Sequence, residues 1–309
     1  MKILDNSNKA LLPVLSRIIT DKTGEEVSDV KFIGGGSFGR VFRVTLSLGQ
    51  TIAVKAFRLQ GSQHEEARQL EILRRNTDVK MPEVIFTYED EETALLGMSF
   101  VEGVNALSPA FLLKSKAQKK KFAEDVINGM LQWHSVTNDK FGSLSQPSYD
   151  SWHEYYVKEK QQPWLDALSR LADEGKFSKK KLELLMNASE RFNEIYDQNP
   201  KPVLIHGDLN IMNIMADPKS FELTAFIDPF GTMWADREYD LFQFRNMWGD
   251  AFGLYEEYKQ RAGLAGGADF RIAYYGAMHE VSMRLKGGLI VPVWEELDLN
   301  RLKKEMKKL

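Results

Sequence analysis

At 309 residues, 43% hydrophobic and 28% charged, the chain can form one large domain or two modest ones with a sizeable core. A net charge of −3 gives no global attraction to nucleic acid or an anionic membrane, so neither partner is expected. The absence of cysteine excludes a disulfide framework, a thiolate metal site and a cysteine nucleophile.

Residues 8–20 place Leu11, Leu12, Leu15, Ile18 and Ile19 on one helical face. From 29 to 58 the period changes to two. DVKFI, a glycine cluster, VFRVTL, a turn at LGQ and TIAVKAF read as strand, glycine turn, strand, hairpin and strand. A helix over 63–75 turns Ala67, Leu70 and Leu73 to one side, and EVIFTYE and ALLGMSFVEG read as two more strands. Beyond Gly103 the pattern is helical. Residues 120–136 carry Phe122, Val126, Ile127 and Met130 at helical spacing, two or three helices cover 150–198, and amphipathic helices are predicted over 236–260 and 269–286. Only 203–228 interrupts them, as two strand-like runs, PVLI and LTAFI, joined by a polar turn. The expected class is α+β, with a β-rich first part and a helical second part joined near MSFVEG.

Five scattered histidines lack H-E-x-x-H spacing, which argues against a zinc enzyme. No apolar run reaches the ~18 residues of a membrane span, and MKILDNSNKALL lacks the pattern of a signal peptide. A cytoplasmic location is expected. The basic stretches KSKAQKKK and KKEMKKL read as solvated helix faces.

Three segments carry chemistry. FIGGGSFGRVFRV contains Gly34-x-Gly36-x-x-Gly39-x-Val41 between two strands, where glycines with positive φ would let backbone N–H groups face phosphate oxygens. On the next strand Lys55 stands among Ile52, Val54 and Phe57, and a cation so placed needs a carboxylate. Glu66 on the following helix is the candidate, with Glu65 and Glu71 as alternatives. A glycine-rich hairpin, a strand lysine and a helix glutamate form the phosphate grip of kinase-like nucleotide sites. In HGDLNIMN, Asp208 and Asn213 stand five positions apart, and Asp228 closes the next apolar run. Phosphoryl transfer needs a carboxylate that accepts a hydroxyl proton and oxygen ligands for Mg²⁺; Asp208 suits the first role, Asn213 and Asp228 the second. His206 is read as a structural hydrogen-bonding residue of this loop, and Asp240 as an N-cap or a brace for it.

With these residues in view, the chain resembles the fructosamine kinase family, within the wider aminoglycoside-phosphotransferase-like group. GGGSFGRVFRV followed by IAVK, EEARQLEILRR, LQWHSV, SWHEYY, PKPVLIHGDLNIMN, FIDP and DREYDL carry the resemblance almost end to end. It implies a two-lobe protein-kinase-like fold: an N-lobe over 1–97, a hinge over 98–103, and a helical C-lobe over 104–309 holding the catalytic and metal loops and the acceptor site. It also implies ATP as donor, Mg²⁺, and a sugar or amine-bearing acceptor. The implied nucleotide site comprises Gly34, Gly35, Gly36, Ser37, Phe38, Gly39, Val41, Ala53, Lys55 and Glu66, with adenine read by the backbone of Met98, Ser99, Phe100 and Val101. Asp208 is implied as base, with Asn213 and Asp228 as metal ligands.

Two departures lie beside the expected acceptor site. Fructosamine kinases typically read HGDLWSGN, whereas Asn210, Ile211 and Met212 stand here; the metal loop DPFGTMWADRE is one residue longer than expected. Asn210 brings the loop closer to aminoglycoside or choline kinases, so these are the alternative classes to a ketosamine kinase. The acidic excess between His206 and Lys259, Asp236 and Glu238 among it, would favour a cationic acceptor. A protein kinase is disfavoured by HGD in place of HRD, IDPF in place of DFG, and the lack of an APE motif. An inactive nucleotide-binding scaffold would normally have lost one of Lys55, Asp208 or Asp228, and all three are present.

Overall fold

The computed structural model describes residues 4, 8–196, 199–245, 249–288 and 291–309. Two compact units emerge, one comprising 1–104 with 214–230, the other 105–213 with 231–309. The segment 214–230, expected in the second part, therefore clusters with the first.

In the first unit, helix α1 (Asn8–Thr23) precedes strands β1 (Val27–Gly35), β2 (Gly39–Leu46) and β3 (Thr51–Phe57), helix α2 (Ser62–Arg74), and strands β4 (Val84–Glu89) and β5 (Ala94–Ser99). The five strands form an antiparallel sheet in the order β1-β2-β3-β5-β4. Alternation along β3 sends Ile52, Val54 and Ala56 into one apolar cluster with Leu11, Leu15, Ile18 and Ile19 of α1. Ala53, Lys55 and Phe57 consequently face the other way, which removes Lys55 from the apolar cluster. Leu12, expected on the buried face of α1, is 44% exposed.

The chain returns to this unit through β10 (Ile214–Ala216) and β11 (Leu223–Phe226), paired antiparallel. This pairing corrects the expected hairpin. PVLI does not pair with LTAFI; its strand β9 (Val203–Leu204) joins β12 (Met233–Ala235) in a separate sheet. A third strand, Ile214–Ala216, takes the place beside LTAFI, too short to register as a period in the sequence.

The second unit begins after the short β6 (Val104–Asn105) with α3 (Pro109–Leu112) and α4 (Lys116–His134). Ser115 and Gln118 form a capping box that starts α4 four residues before the expected 120. Strands β7 (Phe141–Ser143) and β8 (Pro147–Tyr149) complete the sheet β8-β7-β12-β9, so 203–228 is not the sole strand segment here. Helix α5 (Trp152–Tyr156) passes through a π-helical turn, Val157–Gln161, into α6 (Gln162–Asp173), followed by α7 (Lys179–Ile195), α8 (Leu254–Ala262), α9 (Ala268–Leu285) and α10 (Pro292–Met306).

The amphipathic helix expected over 236–260 is replaced by short 3-10 turns at Arg237–Asp240, Phe242–Arg245 and Gly249–Phe252 before α8; residues 246–248 of that span, like 197–198 of the span 150–198, lie outside the described residues. Side-chain commitments explain the break: Asp236, Glu238 and Asp240 are each held by partners described below. Helix α9 is buried nearly all round, so it shows little amphipathic period.

Candidate active site

The expected site residues divide between the two units. In the first, Lys55 is 8% exposed at the centre of the sheet, opposite Val41 on β2 and Leu96 on β5. Its Nζ donates to Glu66 Oε2 at 2.6 Å and to Asp228 Oδ1. Glu66 therefore fills the role for which Glu65 and Glu71 were alternatives. Those two instead pair along α2, with Arg68 and Arg75. Asp228 adopts φ 56°, a left-handed conformation that aspartate tolerates better than most residues, and this turn aims its carboxylate at Lys55.

One cation between two carboxylates fixes the electrostatics. Burial pulls the Lys55 ammonium down, but the charges of Asp228 and Glu66 outweigh it and hold Lys55 above its ordinary value. Burial pushes Glu66 up to about 7 against the pull of Lys55, with the like charge of Asp228 assisting.

The glycine loop differs from expectation in one respect. None of Gly34, Gly35, Gly36 and Gly39 is among the positive-φ glycines. Two of them are required for close approach instead: a Cβ on Gly35 would stand 2.7 Å from the Gly39 carbonyl oxygen, and one on Gly39 would stand 3.1 Å from Lys55 Cε. The turn is closed by Gly36 N–H donating to Gly39 O at 3.0 Å. The Arg58 guanidinium donates to Ser37 O, and the Phe38 ring stacks on Phe230 with centroids 5.2 Å apart.

The expected adenine-reading segment starts within β5, where Met98 pairs with Ala53 and Ser99 with Ile52. Past the strand end, neither Phe100 nor Val101 uses its backbone N–H or C=O in a protein hydrogen bond among the described residues.

In the second unit the HGDLNIMN loop is built around Asp208. Its Oδ1 accepts from Asn210 Nδ2 at 2.9 Å and Gln243 Nε2 at 2.7 Å, and its Oδ2 from Asn213 Nδ2 at 3.1 Å. Asn213 Nδ2 also donates to the Asp208 carbonyl at 2.7 Å. These bonds fix the amide flip, turning the Asn213 side-chain oxygen away from Asp208. Asn210, expected at the acceptor site, is 2% exposed; its own side-chain oxygen accepts from Met212 N–H at 2.9 Å. It is a positioning residue for Asp208 rather than an acceptor contact.

The loop is braced from behind. Asp240 accepts from the amides of His206 at 3.0 Å and Gly207 at 2.8 Å, so of its two expected roles it is the brace, not the cap. Burial opposes its charge, yet His134, His206 and the loop amide hold it below the ordinary carboxylate value. An ionised carboxylate only accepts, so His134 donates to it through Nε2 at 3.3 Å while Nδ1 bonds Tyr258 Oη at 2.7 Å. His206 Nδ1 accepts from the Asp208 amide at 3.3 Å, and Thr232 Oγ1 donates to the His206 carbonyl at 2.9 Å.

Asp236 and Glu238, expected at the acceptor site, are each 3% exposed. Asp236 caps the turn Arg237–Asp240 and accepts from Tyr196 Oη at 3.1 Å. Glu238 takes a bidentate pair from Arg271 at 2.7 and 2.9 Å. Interior pairing, not an open acidic wall, explains both, and this corrects their expected role.

Gln243, His134, Thr232 and Arg271 were not singled out from the sequence. Gln243 stands three residues beyond Asp240 in DREYDLFQF, a run whose apolar neighbours marked it only as helix.

Among the described residues no cluster of three or more His, Asp or Glu could hold a metal alone. The donor chemistry fits magnesium in a different manner, since Mg²⁺ is bound through one or two side-chain oxygens with phosphate oxygens completing its shell. The Asp228 carboxylate in the first unit and the Asn213 amide oxygen in the second are donors of that kind.

A family model described as phosphotransferase enzyme family (APH) matches residues 29–295. The chain is 23% identical over 272 residues to the uncharacterized protein YcbJ of Escherichia coli (strain K12), covering 86% of this chain and 90% of that one. Among solved structures it is similar to a "putative fructosamine-3-kinase" of Thermobifida fusca YX-ER1, with a TM-score of 0.70, 21% identity and coverage of 95% and 98% of the two chains. It is also similar to a thermostable mutant of aminoglycoside phosphotransferase APH(4)-Ia in ternary complex with AMP-PNP and hygromycin B, with a TM-score of 0.68, 15% identity and coverage of 95% and 98%. The fold is thus kinase-like, β-rich in its N-terminal region and helical in its C-terminal region.

Proposed function

The chain belongs to the phosphotransferase enzyme family, and on that premise we propose that it is an ATP-dependent kinase for a hydroxyl of a sugar or amine-bearing small molecule, most specifically a ketosamine. The observation that carries this reading is Lys55, buried beside a glycine-rich turn and held between Glu66 and Asp228. A structural lysine needs one carboxylate. Here one carboxylate comes from the neighbouring helix and the second, Asp228, from a backbone turn in the left-handed region, where unusual backbone marks functional sites more often than scaffolding.

In this mechanism Lys55, oriented by Glu66, binds phosphate oxygens of ATP, the turn over 34–39 covers them, and the backbone of Phe100 and Val101 reads the adenine edge. Asn213 and Asp228 would hold Mg²⁺, which would neutralise charge on the phosphates. Asp208, oriented by its three amide donors, accepts the proton of the acceptor hydroxyl. The acceptor oxygen forms its bond to the γ-phosphorus as the bond to the bridging oxygen breaks, and ADP leaves.

Similarity to the "putative fructosamine-3-kinase" of Thermobifida fusca favours the ketosamine, while the similar enzyme crystallised with hygromycin B makes an aminoglycoside-type acceptor the second reading. The buried pairing of Asp236 and Glu238 takes these two carboxylates out of the acidic-cleft argument for a cationic acceptor. The discriminating experiment is ATP consumption with Mg²⁺ against fructose-lysine, ribulose-lysine, aminoglycosides and choline. Turnover confined to ketosamines supports the proposal. Turnover confined to aminoglycosides or choline moves the acceptor class and keeps the mechanism, and failure to bind ATP rejects the reading.

A further inference from the structure

The π-helical turn Val157–Gln161 carries an unusual lysine. Such turns re-aim side chains and recur at functional sites. Lys160 Nζ stands over three rings, Tyr155 and Trp164 at 5.7 Å and Tyr239 at 5.9 Å. Aromatic faces stabilise an ammonium but supply no oxygen acceptor for its three N–H groups. The carboxylate of adjacent Glu159 is engaged by the Tyr149 hydroxyl.

Two further cationic or titratable groups share this neighbourhood. Burial and the nearby Lys286 lower Lys160 to about 8, against the opposing charge of Glu159. Burial, Lys286 and Lys160 together lower His279 to about 4. Lys286 is exposed while Lys160 and His279 are half-buried, so the cluster reaches the surface. An anion beside Lys160 offsets its burial and accepts the N–H groups the rings leave unserved.

The same short segment connects this cluster to Asp208. Tyr239 forms part of the wall around Lys160, and Phe242 packs on His279 with ring centroids 4.9 Å apart. The residues following each of these two aromatics are the loop brace Asp240 and the Asp208 donor Gln243. We infer that the acceptor carries an oxyanion group, a carboxylate or a phosphate, received by Lys160 on the side of the cluster that holds His279. This rests on the kinase reading.

Two arms test it on the full chain. In the first, acetylation of each lysine is followed by mass spectrometry with and without inorganic phosphate, at ionic strength matched with chloride. Saturable protection of Lys160 by phosphate is expected, and an unchanged Lys160 rate overturns the anion site. In the second, acceptors that the wild type phosphorylates are compared as matched pairs, carboxylate against carboxamide.

Lys160→Met is expected to raise KM for the anionic member roughly 10- to 100-fold, the worth of one charge-assisted hydrogen bond. Its kcat is expected to hold, KM for the neutral member to stay unchanged, and Lys160→Arg to restore the difference. Should Lys160→Met fail to fold by thermal melting, Lys160→Gln and the wild-type preference between pair members decide the matter. Equal KM values for the two members in the wild type overturn the proposal. Phosphate protection without transfer to any acceptor overturns the kinase reading and leaves the anion site standing.

Discussion

At the level of single residues, Asp208 shows what local motifs convey and what they leave out. Asp208, Asn210 and Asn213 stand in one loop, so their grouping was legible from spacing alone. The donation from Gln243 to Asp208 joins positions 35 apart, and nothing in the local pattern around Gln243 announces it. Lys55 and Glu66 repeat the contrast. Helical spacing allowed Glu65, Glu66 or Glu71, and only the direction of α2 over the sheet selects Glu66. Gln243→Ala leaves Asp208 with two of its three amide donors, and kcat is expected to fall about tenfold, the worth of one hydrogen bond to a charged group, with ATP affinity unchanged. Steady-state kinetics beside ATP titration checks this; an unaltered kcat would show that Gln243 does not orient the base.

At the scale of elements, periodicity served where an element has one buried face and failed where side chains commit to distant partners. Strand β3 alternates between the α1-facing cluster and the face bearing Lys55, and its limits, Thr51–Phe57, coincide with the sequence reading. Residues 237–245 and 249–252 carry helix-like spacing but fold as short 3-10 turns. There Glu238 is drawn to Arg271 on α9, both nearly fully buried. A buried bidentate pair of this kind is costly to break, because the surviving charge is left without its partner. Arg271→Met is therefore expected to destabilise the protein by about 3–5 kcal/mol, read as a lowered urea midpoint. The double variant Arg271→Met with Glu238→Leu is expected to recover much of the loss. If the single variant unfolds at the wild-type midpoint, the pair does not hold the turns to α9.

For the whole molecule, buried carboxyls set the dependence of stability on pH. Burial and the neighbouring Glu238 charge push Asp236 up to about 7 from an ordinary 3.8. In the folded state it therefore keeps a proton that the unfolded chain has already released. Its contribution is full at acidic pH below the unfolded value and is lost as pH rises through 7; Glu66, also raised to about 7, acts in the same sense. His279, lowered to about 4, works oppositely, its contribution being lost as pH falls below the ordinary histidine value. Asp236→Asn keeps the neutral form of the side chain. Melting temperatures taken across this range are expected to decline less steeply toward alkaline pH in Asp236→Asn than in the wild type. Parallel curves would exclude Asp236 as a source of the dependence. The two-part α+β division was legible from the change of period near residue 103. The return of 214–230 to the first unit was not, because strand partners are chosen by tertiary packing and not by order along the chain.

The central claim is that this phosphotransferase uses Asp208 as the base for transfer from ATP to an acceptor hydroxyl. The most direct measurement is transfer of labelled γ-phosphate to a productive acceptor by the wild type and by Asp208→Asn, with nucleotide affinity determined on both. In Asp208→Asn, kcat is expected to fall by about 10²–10⁴ while ATP affinity is retained. An Asp208→Asn enzyme that transfers phosphate at the wild-type rate would contradict it.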